Sequence, residues 1–203
     1  MRRVVPAFVV LLACAAPALA QTPPSRVTIV SVFDPINYGD NAYVNGQLIG
    51  DGQSGQLVTL QASPFPFTAW GDVAQITTDY RGFYSFKLHP AANTHYRTIA
   101  EGVMSEREVS VDVEPAIRFK AVPAGRSSVR FSGVIAPGHD RGTVAVQRQK
   151  RDGAWTTVAN ARLHGGAKFA GRLRARNPVV LRAFFASDGD HRDGFSRAVR
   201  VVP

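Results

Sequence analysis

From Val27 to Val201, apolar and polar residues alternate in short runs, and each run is broken by Gly, Pro, Asn or Asp. Val27-Thr28-Ile29-Val30-Ser31-Val32, Leu57 to Gln61, Tyr84 to Leu88 and Val109-Ser110-Val111-Asp112-Val113 show the pattern early. Val144-Ala145-Val146, Val179 to Ala186 and Val199-Arg200-Val201 repeat it late. A period of two with β-branched or aromatic residues favours strands, and no long segment carries the i, i+3, i+4, i+7 pattern of a helix. The chain is therefore predicted to be all-β, with strands at the spacing of a sandwich.

An internal repeat divides it. Val58-Thr59-Leu60-Gln61 returns as Val144-Ala145-Val146-Gln147, 86 positions later. Trp70 and Trp155 are 85 apart, as are Arg97 and Arg182, while Phe86 and Phe169 are 83 apart. Ser105…Val109-x-Val111 echoes Ser196…Val199-x-Val201. Two copies of a unit of about ninety residues account for these spacings. They predict seven-stranded domains over 27–114 and 115–203, after a linker at 21–26. Strands are expected near 27–33, 41–49, 55–62, 73–78, 82–88, 95–101 and 107–113. In the second copy they fall near 116–121, 128–136, 142–149, 155–159, 167–174, 179–186 and 195–202.

The first twenty residues read as a cleaved signal peptide: Arg2 and Arg3, an apolar stretch from Val4 to Ala16, then Ala18-Leu19-Ala20 before Gln21. No window is long and apolar enough for a membrane anchor, so a secreted or cell-envelope location is expected. An alternative start is a lipobox at Leu11-Leu12-Ala13-Cys14, which would lipidate Cys14. Cys14 is the only cysteine. A chain cleaved after Ala20 has no disulfides, thiol nucleophile or cysteine-based metal site, and its stability must come from its cores.

Charge is divided between the copies. Residues 21–115 carry five Lys/Arg against ten Asp/Glu, whereas 116–203 carry seventeen against five. Such an asymmetry points to partners rather than to fold.

Gln75 to Pro90 concentrates Asp, Tyr, Arg and His, but conformation explains it without catalysis. Asp79 and Gly82 bound a turn, and Tyr84 and Phe86 fall on the core face of the following strand, with Ser85 and Lys87 opposite. The stretch is expected to be a β-hairpin. Gly55-x-x-Val58-x-Leu60, then Thr77-Thr78-Asp79-x-x-Gly82-x-Tyr84-x-Phe86 and Pro90, resembles bacterial Ig-like and carboxypeptidase-regulatory-like sandwich modules of exported proteins. Pro90 to Tyr96 resembles the approach to strand F in fibronectin type III and Ig-like domains. The resemblance implies two tandem Ig-like β-sandwiches and a tyrosine corner at Tyr96. The second copy departs from it: Leu181 stands in place of the Tyr, and no TTDxxGxYxF string occurs.

Few residues point to chemistry. Asp188, Asp190 and Asp193 imitate a calcium loop, and His191 could take a softer metal. Arg192 breaks the EF-hand spacing, however, and an F–G loop explains the run. No metal, cofactor or catalytic residue is predicted: His89, His95, His139, His164 and His191 are scattered, and no nucleophile elbow, SxxK or P-loop occurs. Trp70, Trp155, Phe184, Phe185 and Phe65-Pro66-Phe67 are expected in core or loop packing.

Arginines of the second copy are the candidates for binding. Alternation puts Arg172, Arg174 and Arg176 on one strand face, and Arg148, Lys150 and Arg151 cluster at another strand end. Guanidinium groups pair well with phosphate and carboxylate. A solvated face, or docking on the acidic first domain, is the plain alternative. Arg also outnumbers Lys twenty to four, which a GC-rich genome would produce by itself.

The expected function is a non-enzymatic structural, adhesion or interaction module at the cell exterior. The alternative is a binder of anionic wall polymer, acidic glycan or lipid headgroup, and the third is a hydrolase without a recognisable motif. The expected partner is a protein or an anionic cell-surface polymer. Nucleic acid is not expected, since stacking aromatics do not interleave the arginines.

Overall fold

The computed structural model describes residues 24–139 and 141–202. The proposed signal peptide, Cys14 and residues 21–23 of the linker lie outside the described residues. Among those described, all regular structure is strand.

The first half contains β1 (Arg26–Val32), β2 (Ile36–Asn37), β3 (Ala42–Ile49), β4 (Leu57–Pro64), β5 (Gly71–Thr77), β6 (Phe83–Leu88), β7 (Thr94–Ala100), β8 (Val103–Met104), β9 (Val109–Val111) and β10 (Val113–Glu114). One sheet runs β1-β3-β6; the other runs β5-β4-β7, with β8 and β9 both on β7. The second half contains β11 (Ala116–Pro123), β12 (Ser128–Ala136), β13 (Thr143–Gln149), β14 (Trp155–Arg162), β15 (Lys168–Arg174), β16 (Val179–Phe185), β17 (Gly194–Phe195) and β18 (Val199–Val201). The plan recurs there as β11-β12-β15 and β14-β13-β16, with β17 and β18 on β16. The fold is an all-β sandwich.

Alternation explains the two cores. Val27, Ile29, Val44, Leu48, Tyr84 and Phe86 meet Val58, Leu60, Tyr96 and Ala100 between the first pair of sheets. Val129, Phe131, Ile135 and Phe169 meet Val144, Val146, Leu181, Ala183 and Phe185 between the second. Each large apolar side chain buried in this way contributes roughly 1.5–3 kcal/mol, and no residue belongs to both clusters.

The strand reading differs from the structure where runs switch partners. The expected 107–113 strand splits into β9, on β7, and β10, which pairs in parallel with β2. At the split, Asp112 N–H donates to Asp34 Oδ1 at 2.7 Å. The expected 195–202 strand likewise divides into β17 and β18. Elements of two or three residues are too short to show a period.

The Gln75–Pro90 stretch is not a hairpin. β5 pairs with β4 and β6 with β3, so the turn between them carries the chain from one sheet to the other. Asp79 Oδ1 accepts the Arg81 and Phe83 N–H groups at 2.8 and 2.9 Å. Gly82 adopts φ 82°, and a Cβ there would lie 2.5 Å from the Leu48 carbonyl oxygen. Asp79→Ala loses two exposed hydrogen bonds. It should lower stability by roughly 1–2 kcal/mol, read as a lower urea midpoint at unchanged slope.

Tyr84 and Phe86 face the core as expected. The Tyr84 hydroxyl donates to the Thr28 carbonyl at 2.6 Å and lies 2.7 Å from Thr98 Oγ1. Burial pushes its pKa up to about 12, against the smaller opposing effect of Thr98. The neutral form is therefore the one the fold favours. Its stabilisation is complete below pH 10, the unfolded value, and is lost as pH rises from about 10 to 12, a total of roughly 2–3 kcal/mol. Tyr84→Phe should flatten the alkaline limb of a stability–pH curve in that window.

Tyr96 is buried on β7, but no tyrosine corner forms among the described residues. Burial raises its pKa, and Thr94 is the side chain that opposes the shift.

The repeat is reproduced in detail. Both halves carry a bulge at the equivalent step, Leu60/Gln61 and Val146/Gln147. Thr98 N–H donates to Ser105 Oγ as Ala183 N–H donates to Ser196 Oγ. One equivalence shifts: Tyr84, not Phe86, is the counterpart of Phe169, because each lies over a glycine directly opposite on the neighbouring strand, Gly46 and Gly133.

Candidate functional site

The outer face of β11-β12-β15 is built by a period of two. Register places Arg118, Val134 and Lys168 in one row, then Lys120, Ser132 and Ala170, then Val122, Arg130 and Arg172, with Ser128 and Arg174 last. Six cations, Arg118, Lys120, Arg130, Lys168, Arg172 and Arg174, thus share one face, and all six are exposed. The three strands contain no Asp or Glu. None of the six cations is in an ion pair among the described residues. Strands stand about 4.8 Å apart and same-face residues about 6.7 Å apart along a strand, so the positive groups form a dense lattice. Arg130 faces Arg172 directly across the sheet, a like-charge pairing that costs stability. An open depression of about 460 Å³ between Arg118, Lys120, Lys168 and His164 lies on this face.

The structure separates the arginines singled out from sequence. Arg172 and Arg174 belong to this face, and Arg176 is exposed just past the end of β15. Arg148, Lys150 and Arg151 sit on the other sheet, at the β13–β14 turn, where Lys150 N–H bonds the Ala154 carbonyl. Arg118, Lys120, Arg130 and Lys168 were not singled out from sequence. Each alternates with apolar residues, but they are distant in the chain, and only the register brings them together.

Trp70 and Trp155 are not core residues. Arg97 lies 4.2 Å over the Trp70 ring and Arg182 4.3 Å over the Trp155 ring. Gln61 and Gln147 each accept that arginine's Nε–H at 2.8 Å. The equivalent bulges bring the glutamines into place, and the stacked cations close the exposed side of each sheet. Burial lowers the Arg182 pKa.

A second cluster occupies the junction between the halves. The loop between β16 and β17 reaches the first half: Asn93 N–H donates to the Asp190 carbonyl at 2.8 Å, and Asn93 Nδ2 to the Gly189 carbonyl at 3.1 Å. Arg192 pairs with Asp112 at 2.7 Å. The acidic first half therefore engages Arg192 rather than Arg172, Arg174 or Arg176. In this loop Asp188, Asp190 and His191 converge with His139, from the loop after β12. Asp193 turns away to accept the Ser187 N–H at 2.8 Å. Burial, then the hydrogen bond and charge of Asp190, push the Asp188 carboxyl above its ordinary range. Burial acts on Asp190 too, but the neighbouring Asp188 and His191 outweigh it, and that carboxyl moves down.

An open depression of about 710 Å³ lies beside β1, β3, β5 and β6; Asp79 and Tyr84 are its ionisable side chains. No helix among the described residues is long and apolar enough to cross a membrane.

No protein-family model and no curated protein matches the sequence. Among solved structures, it is similar to the tetra-tandem repeat in the extending region of a large adhesion protein, at 10% identity and a TM-score of 0.34. That alignment covers 86% of this chain and 48% of the other, so the chain spans about half the length of the structure it matches.

Proposed function

We propose that the chain is an exported, non-catalytic interaction module whose second domain holds an anionic polymer of the cell exterior on the outer face of β11-β12-β15. The six-cation lattice free of carboxylates carries this reading. Guanidinium groups spaced a few ångströms apart suit a chain of sulfate, phosphate or carboxylate groups, each held by a two-point bond. The domains are read as tandem fibronectin type III-like sandwiches over 27–114 and 115–203. Support comes from the separate cores and from the β5–β4 pairing, which puts the fourth strand on the β7 sheet instead of beside β6. Export rests on the signal-peptide pattern of residues 1–20. The non-catalytic reading is supported by the open depression beside β1, β3, β5 and β6, whose one carboxylate, Asp79, is engaged by its own turn.

The purified chain should be retained on immobilised heparin or anionic wall polymer at low ionic strength and released as salt rises. A folded chain that passes through at low salt would remove this reading.

A further inference from the structure

Four metal-ligating side chains meet at the junction loop, and the hydrogen bonds around them fix how each is presented. The candidate ligand atoms of His139, Asp188, Asp190 and His191 all lie within 4.8 Å of one another. His191 is 3% exposed. Its Nε2 lies 2.8 Å from the Ala91 carbonyl oxygen, which can only accept, so Nε2 carries the proton. The ring then turns Nδ1 toward Asp190 Oδ1, 3.2 Å away, and Asp188 Oδ1, 3.5 Å away. His139 is set in the mirror sense. Its Nδ1 donates to the Pro137 carbonyl at 2.8 Å, which leaves Nε2 facing Asp188 Oδ2 at 2.7 Å. Neither His139 Nε2 nor His191 Nδ1 finds a hydrogen-bond partner among the described residues.

Two imidazole nitrogens and two carboxylates are thus crowded together, with a shared proton or a cation needed between them, in a site walled by Phe185, whose ring meets His139 edge-on at 4.9 Å. A divalent cation at the centre would engage all four groups at once. Histidines that bind metals characteristically give their other ring N–H to a carbonyl, which fixes the tautomer; both rings here do so.

We propose that His139, His191, Asp188 and Asp190 form a binding site for a divalent transition ion of the zinc type, a function separate from the cationic face. Tetrahedral zinc with ligands at about 2.0–2.1 Å places its donor atoms about 3.3 Å apart, and the nitrogen–oxygen distances of 2.7–3.5 Å bracket that spacing. Two imidazoles select zinc and its neighbours over calcium, which takes six to eight oxygens. Asp188 and Asp190 come from the calcium-like run of the sequence, with His191 beside them, and Asp193 is not among the four.

The test is calorimetric titration of the tag-free, chelator-stripped full chain with Zn²⁺, alongside Co²⁺ absorption, which reports coordination geometry. One Zn²⁺ per chain and a tetrahedral Co²⁺ spectrum are expected. His139→Gln and Asp190→Asn should each weaken binding by more than the roughly 10–100-fold that loss of an outer-shell partner causes. The Asp190 side chain is 43% exposed, so Asp190→Asn should fold even if His139→Gln does not. Saturating Zn²⁺, at about a hundred times its Kd, should raise Tm by roughly 5 °C or more in the parent and not in Asp190→Asn. A folded chain that binds no Zn²⁺ stoichiometrically, prefers Ca²⁺, or keeps its Zn²⁺ affinity in Asp190→Asn would overturn the assignment.

Discussion

Gly46→Ala should lower stability by about 3 kcal/mol or more. A Cβ on Gly46 would overlap both the Thr28 carbonyl oxygen and the Tyr84 hydroxyl bonded to it, far inside van der Waals contact. Neither can yield cheaply. Thr28 belongs to β1, locked to β3 by seven register pairs, and the Tyr84 hydroxyl is bonded to both Thr28 and Thr98. Overpacking a rigid core typically costs 1–3 kcal/mol and sometimes more. Displacing a backbone strand together with a buried hydrogen-bonded ring belongs at or above the top of that range, against a total stability of roughly 5–15 kcal/mol. Gly133→Ala should do the same in the second half, where the Cβ would lie 2.5 Å from the Arg118 carbonyl oxygen and overlap the Phe169 ring. Gly71→Ala is the control: its Cβ meets nothing within 4 Å, and its effect should stay within about 0.5 kcal/mol. Urea midpoints of the three variants check the series; a stable Gly46→Ala protein would mean that Tyr84 does not pack over β3 as described.

The triple substitution Arg130→Ser, Arg172→Ser, Arg174→Ser should weaken polyanion binding by roughly a thousandfold at low salt, about tenfold per lost charge-assisted contact. The same variant should be as stable as the parent or slightly more so, because it removes the Arg130–Arg172 repulsion. A merely structural face would behave in the opposite way, losing stability and leaving binding unchanged. Arg148→Ser, Lys150→Ser, Arg151→Ser removes an equal charge from the other sheet, and there the loss should be small. Equal losses from both triples would point to net charge rather than to a built surface.

The strands were legible because an alternating run of six or more residues has one physical interpretation when one of its faces must be buried. β3, β6, β12 and β15 begin and end within one residue of expectation. What a single run cannot disclose is its partner. The Asp79 turn reads the same whether it closes a hairpin or crosses between sheets, and the difference lies in β3 and β4, which end 30 and 15 residues upstream. The repeat carried real information: Trp70 and Trp155, matched only by spacing, make the same stack on Arg97 and Arg182. Core or loop packing was the expectation for both; that an arginine covers each ring emerges only from the register at Gln61 and Gln147. The cationic face was half legible. Arg172 and Arg174 announce themselves in one strand, whereas Arg118, Lys120, Arg130 and Lys168 become neighbours through register alone. His139 gave no sign at all, standing 49 positions from Asp188 with no ligand spacing between them.

The most direct test of the cationic-face assignment is the salt dependence of polyanion affinity for the parent and the Arg130/Arg172/Arg174 triple variant. With six cations engaged, log K should fall against log salt with a slope near −4, at about 0.7 per neutralised charge on a single chain, and the variant should retain about half that slope. A flat dependence in the parent, or an equal slope in the variant, would contradict the assignment.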